Sequence, residues 1–178
     1  MDVPSSQPSQ CYDLVHLLSM TSSSDWLYAG LFSSIPDLSA STTPTSSTKF
    51  LSADSSTPPP CLILSLAASP PAVLTPSAAT LAIASEPQLL VFRYRSKVHA
   101  IDHSCPHQSY PLSDGSIYDI EDFGIVLSAG IACPKHGWTF DLFTGESDRG
   151  GYKLGVWDVE VRGEEVWVRR RPKKKRIG

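Results

Sequence analysis

Cys105-Pro106-His107 and Cys133-Pro134-Lys135-His136-Gly137-Trp138 are the two stretches on which the reading of this chain turns. Each offers one Cys and one His within a few residues, and 25 residues separate His107 from Cys133. Together they supply two sulfur and two nitrogen donors, a set that both a tetrahedral zinc ion and an iron–sulfur cluster accept. In each stretch a Pro directly follows the Cys. Its ring fixes φ and stiffens the loop, while the neighbouring amides stay free to face sulfur. Gly137, directly after His136, permits close backbone approach. Structural zinc sites usually draw their ligands from tight knuckles or a helix. Two Pro-bearing loops at one end of a β domain suit a flat, two-metal group instead.

The flanking sequence reads as short strands. Leu89–Tyr94 and Lys97–Ile101 form a hairpin around Arg95-Ser96. Past the first loop, Gly115–Ile120 leads to Gly124–Leu127, a turn at Ser128–Gly130, and Ile131–Ala132. Trp138–Leu142 alternates bulky and polar residues. Thr144-Gly145 and Arg149-Gly150-Gly151 mark turns, and Leu154–Val161 with Val166–Arg169 make a last hairpin turning at Gly163. No 3.6-residue period stands out between residues 89 and 170, so the fold class is all-β, as a small barrel or stacked antiparallel sheets.

Before residue 89 the organisation loosens. Residues 1–24 read as a loose N-terminus, with one helical turn expected around Tyr12–Leu18 and an uninvolved His16. Trp26–Phe32 reads as a strand followed by a turn at Ser33–Asp37. From Ser33 to Thr80, 27 of 48 residues are Ser, Thr or Pro. Such sequence buries too little apolar surface to offset its ordering entropy. Residues 38–60 and 67–80 are therefore expected as Ser/Thr/Pro-rich insertions within a 25–170 domain, with Cys61–Leu66 a strand between them and 171–178 a basic tail. Cys11 and Cys61 read as ordinary thiols, and His99 and His103 as surface or strand residues.

Charge is unevenly spread. Seven of the 15 basic residues lie between Arg169 and Arg176, leaving 8 basic against 18 acidic side chains before them. The tail can serve as a nuclear address or nucleic-acid patch, or as a solvated tail that steers an acidic redox partner; the second is the default. No charged n-region, Arg-rich transit pattern or run of 18 apolar residues is present. A reducing, cytoplasmic setting is expected, and there paired Cys and His favour metal over disulfides.

The two loops, together with Tyr110-Pro111-Leu112-Ser113-Asp114-Gly115, Thr139-Phe140-Asp141 and Thr144-Gly145, resemble the Rieske family. The resemblance is closest to soluble Rieske-type ferredoxins and the Rieske domains of ring-hydroxylating oxygenases, and it covers about residues 89–170. The longer gap between loops implies an extra hairpin around Ser116–Ala129. The resemblance implies one [2Fe–2S] cluster, with Cys105 and Cys133 on one iron and His107 and His136 on the other. Substituting His₂ for Cys₂ raises the potential into a span of roughly −150 to +300 mV. Respiratory members carry hydroxyl donors where this chain has Trp138 and Phe140, and a loop disulfide where it has Tyr110 and Lys135. A potential at the low end is therefore expected, with loops held by packing. Phe140 is expected in the core, and Trp138 and Tyr110 as cluster shielding or core.

The chain shows no nucleotide-binding glycine motif and no room for an oxygenase substrate domain. The expectation is a single-electron carrier without its own substrate site. By family analogy it stands between a flavin reductase and an oxygenase-like acceptor. The competing readings are a zinc-stabilised β module that binds a partner without redox work, and an accessory subunit with an Fe–S cluster and a nuclear address.

Overall fold

The computed structural model describes residues 25–40, 48–49 and 60–172. The expected turn at Tyr12–Leu18, His16, Cys11, most of the 38–60 stretch and the end of the basic tail lie outside the described residues.

Eleven strands are described: β1 Trp26–Leu31, β2 Thr48–Lys49, β3 Cys61–Ser65, β4 Ala72–Leu74, β5 Gln88–Tyr94, β6 Lys97–Asp102, β7 Ser116–Asp122, β8 Ile125–Ala132, β9 Thr139–Asp141, β10 Trp157–Arg162 and β11 Glu165–Arg170. One short helix, α1, spans Pro76–Ala82. The strands form three antiparallel sheets, ordered β1-β11-β10, β4-β3-β5-β6 and β2-β7-β8-β9.

The middle sheet is covered on both faces, and β5 shows why. Leu89 and Val91 pack with Ala29, Trp157, Val166 and Val168 of the first sheet. Leu90, Phe92 and Tyr94 pack with Ile117, Ile131 and Phe140 of the third. A strand buried on both faces reads as a continuous apolar run, which is what Leu89-Leu90-Val91-Phe92 is. Each such side chain contributes about 1.5–3 kcal/mol of burial. Cys105 and Cys133 belong to the second of these cores.

The hairpins are closed by the expected residues at one turn and by unexpected ones at another. Arg95 and Ser96 both take positive φ, 50° and 60°, which closes β5 onto β6 in two residues. The turn expected at Ser128–Gly130 lies inside β8 instead. The long hairpin turns at Phe123-Gly124, at φ 48° and 76°, and a bulge interrupts its register between Ile120 and Glu121. Gly130 serves a different purpose there: a Cβ would sit 2.5 Å from the Tyr118 ring on the facing strand.

Residues 67–80 also differ from expectation. They carry β4 and most of α1, whose N-cap is the Thr75 hydroxyl accepting from the Ala78 amide, with Pro76 in the first turn. Ala79 at the helix centre is fully buried.

Candidate iron–sulfur centre

Two loops at one end of the third sheet carry the four donors. The first joins β6 to β7 and the second joins β8 to β9. They share one backbone design. The Cys105 amide donates to the Tyr110 carbonyl at 2.9 Å, and the Ser109 amide donates back to the Cys105 carbonyl at 2.8 Å. In the second loop the Cys133 amide donates to the Trp138 carbonyl at 2.8 Å, and the Gly137 amide donates to the Cys133 carbonyl at 2.9 Å. The fifth residue of each loop is left-handed: Ser109 at φ 47° and Gly137 at φ 66°. The loops differ in where the imidazole sits, two residues after the Cys in the first and three in the second.

The donors are sorted by depth. Cys105 and Cys133 are 2% and 1% exposed, lie within hydrogen-bond reach of each other, and are free thiols. Burial pushes the Cys133 thiol above its ordinary pKa, and the Cys105 sulfur beside it adds to this; the backbone amides of Lys135 and His136 point at the same sulfur and oppose it. His107 is half-buried and His136 exposed, with ring centroids 5.0 Å apart. Two soft donors thus sit inside and two imidazoles outside. Among the described residues no three His, Cys, Asp or Glu side chains converge on one ion position. The donor set, its division into a sulfur pair and a nitrogen pair, and the amides aimed at sulfur fit a two-iron group; the residues that could hold it are Cys105, Cys133, His107 and His136.

A third segment, between β9 and β10, walls one side. The Trp138 indole stacks on His107 at 4.7 Å, and the Tyr152 ring meets both edge-on, at 5.4 Å from His107 and 5.0 Å from Trp138. Arg149 donates to the Gly137 carbonyl, lies over the Trp138 ring and pairs with Asp148. Gly150 is required where it stands, since a Cβ would come within 2.7 Å of the indole. The loops are therefore held by backbone hydrogen bonds and this arginine as well as by packing. Trp138 shields His107, Tyr110 packs at the edge of the core, and Phe140 is core. Tyr152 and Arg149 were not singled out by sequence; only the turn around Gly150 was legible.

His99 is a strand residue of β6, and His103, just past its end, is neither a surface nor a strand residue; both are buried. His99 lies between the Phe92 and Phe143 rings, and His103 is fully buried with both ring nitrogens hydrogen-bonded. Burial lowers both to a pKa of about 4, with Lys97 adding to the effect at His99. Cys61 is a buried thiol pushed up to about 12 by desolvation, then by the Asp114 charge, which leaves it inert.

At the base of the site Asp102 ties the first and middle sheets together. It accepts from the Trp157 indole at 2.8 Å and pairs with Arg170 at 3.7 Å, and Gly155 leaves the room it needs. Arg169 and Arg171 pair with Asp158, so the start of the basic tail is partly neutralised within the fold. Among the described residues no helix is long and apolar enough to cross a membrane.

Sequence comparison with known proteins adds a family assignment. A Rieske-like [2Fe-2S] domain model matches residues 67–169. Ferredoxin CarAc of Metapseudomonas resinovorans is 34% identical over 82 residues, which cover 45% of this chain and 68% of that one. Apoptosis-inducing factor 3 of Homo sapiens is 33% identical over 85 residues, 46% of this chain but only 12% of the human protein's length. The nitrite reductase [NAD(P)H] small subunit of Erwinia carotovora superposes with a TM-score of 0.49 at 18% identity, covering 87% of this chain and 88% of that one. One [2Fe–2S] cluster is accordingly the cofactor of this chain, which belongs to the family of Rieske-like [2Fe-2S] domains.

Proposed function

We propose that Cys105 and Cys133 hold one iron, that His107 and His136 hold the other, and that the chain carries single electrons between partner proteins. The observation that carries this reading is the sorting by depth: buried sulfurs side by side, with one imidazole half-buried and the other exposed. When bound, the cluster supplies a one-electron couple, with neutral imidazoles making the outer iron the reducible one. This chain's residues orient and insulate. The core excludes water from the sulfurs, the amides of Lys135 and His136 stabilise negative charge on Cys133, and Trp138 and Tyr152 wall His107 while His136 stays open to a docking partner.

The domain runs over residues 25–170, and the chain is a carrier without its own substrate site in a reducing cytoplasmic setting. Its donor is a flavin reductase and its acceptor an oxygenase-like protein. Support comes from the likeness to a ferredoxin of the same domain family. The test is purification followed by metal and sulfide analysis. About two irons and two acid-labile sulfides per chain, with one-electron reversible reduction, are expected. A colourless protein with one tightly bound zinc would overturn the reading in favour of a structural β module. Changing His107 to Cys should keep some cluster and lower its potential.

A further inference from the structure

Buried polar side chains are few, and three of them form one connected line. His103 Nδ1 lies 2.7 Å from Gln88 Oε1, and His103 Nε2 lies 2.9 Å from Ser113 Oγ. Gln88 Nε2 donates to the Ala79 carbonyl at 3.0 Å, so its Oε1 can only accept. This fixes the tautomer: Nδ1 carries the proton and donates to Gln88, and the bare Nε2 accepts from the Ser113 hydroxyl. Burial raises the neighbouring Asp114 carboxyl above its ordinary range and a hydrogen bond from the Ser113 hydroxyl opposes this, so Asp114 shares that donor with His103 Nε2. The backbone repeats the connection: the His103 amide donates to the Gln88 carbonyl, and the Leu112 amide donates to the His103 carbonyl.

The place of this line in the fold gives it a consequence. His103 enters the first loop two residues before Cys105, and Ser113 leaves it six residues after His107. One imidazole therefore joins the two ends of the loop and anchors both to β5. The second loop has another brace, Arg149 on the Gly137 carbonyl.

We infer that His103 is a positioning residue for the iron–sulfur centre, fixing the first loop through Ser113 so that Cys105 and His107 are presented in a single geometry. The inference rests on the ligand assignment proposed above. Its chemistry involves no proton release: the neutral ring works as a rigid donor–acceptor spacer of fixed length. Filling the space with an apolar side chain leaves Gln88 Oε1 buried and unpaired and takes the imidazole away from the Ser113 hydroxyl, while changing Ser113 removes the loop-side bond together with its contact to Asp114.

The test compares purified, cluster-bearing wild type with Ser113→Ala, Ser113→Thr, His103→Leu and the double variant His103→Leu/Ser113→Ala. Readouts are the low-temperature EPR spectrum of the reduced protein, the midpoint potential and the rate of cluster bleaching. Ser113→Ala is expected to broaden or shift the EPR lines and to bleach about tenfold faster. Ser113→Thr, which keeps the hydroxyl, should restore both. The double variant should lose little beyond His103→Leu alone, because the two residues act through one bond. If the Ala variants merely melt earlier while spectrum, potential and bleaching stay those of the wild type, His103 is structural only and the inference fails. If His103→Leu does not fold, the Ser113 pair alone decides. A wild-type protein without iron would sink the proposed function instead, and is told apart at the first purification.

Discussion

The His107 ring lies almost parallel to the Trp138 indole, their centroids 4.7 Å apart and their planes 28° apart. By the family resemblance, Trp138 stands where respiratory members carry a hydroxyl donor, and it offers no hydroxyl there. The wild-type midpoint is expected below about +100 mV. Changing Trp138 to Ser should raise it. One hydrogen bond to a charged acceptor contributes about 1.5 kcal/mol, or about 60 mV for one electron. Voltammetry on the two proteins checks this, and an unchanged or lowered midpoint in the Ser variant would contradict it.

The two loops solve one backbone problem with different residues. Ser109 holds φ 47° where Gly137 holds φ 66°. Left-handed backbone costs a residue with a Cβ about 1–2 kcal/mol, part of which the greater chain entropy of glycine takes back. Ser109→Gly should therefore stabilise the protein by about 0.5–1 kcal/mol, and Gly137→Ala should destabilise it by about 1 kcal/mol. Thermal melts of both variants against wild type test the pair. Shifts of the same sign would contradict this account of the two left-handed positions.

Where the sequence was legible, local pattern and packing agreed. Leu89–Tyr94 read as a strand, and Arg95-Ser96 marked its turn. The spacing of Cys and His announced the loops. Other places were hidden for identifiable reasons. Thr75-Pro76 is a helix-start signal, yet Ser/Thr/Pro composition outweighed it, because the burial of Ala79 depends on partners distant in sequence. Ser128-Ala129-Gly130 looked like a turn, but Gly130 is small to admit Tyr118. His103 read as a surface or strand residue because Gln88 and Ser113, which satisfy it in the core, lie 15 and 10 residues away.

At the tip of the long hairpin Phe123 takes φ 48° while its side chain is 98% exposed, so its ring gains nothing from the core. A two-residue turn with both positions at positive φ favours Asn-Gly. Phe123→Asn should stabilise the hairpin by about 0.5–1 kcal/mol. Amide exchange at β7 and β8 should slow accordingly, with the core strands unaffected. Faster exchange there would show that the turn is not limited by the backbone of residue 123.

Acid should weaken the fold through its buried imidazoles. His99 stacks on Phe92 and meets Phe143 edge-on, and burial, with Lys97 adding, lowers its pKa from 6.5 to about 4. Unfolded chains bind this proton below about pH 6.5, whereas the folded protein refuses it until about pH 4. Between those limits the unfolded state holds more protons, so stability is full above the window and falls as pH drops through it. The shift sets the loss at up to about 3 kcal/mol for His99. Carboxylates such as Asp141 act elsewhere. Burial would raise Asp141, but hydrogen bonds from Ser128 and the amides of Thr144 and Phe143 outweigh it, so its contribution is lost only below the ordinary carboxylate range. Replacing His99 with Phe keeps an aromatic ring in the slot and removes the titration. The wild type should lose more melting temperature than His99→Phe between pH 6.5 and 4, and the two curves should run parallel above pH 7. Taking the difference cancels any acid lability of the cluster itself, which both proteins share. Curves that stay parallel through the whole window would mean that His99 is protonated within the fold as readily as in water.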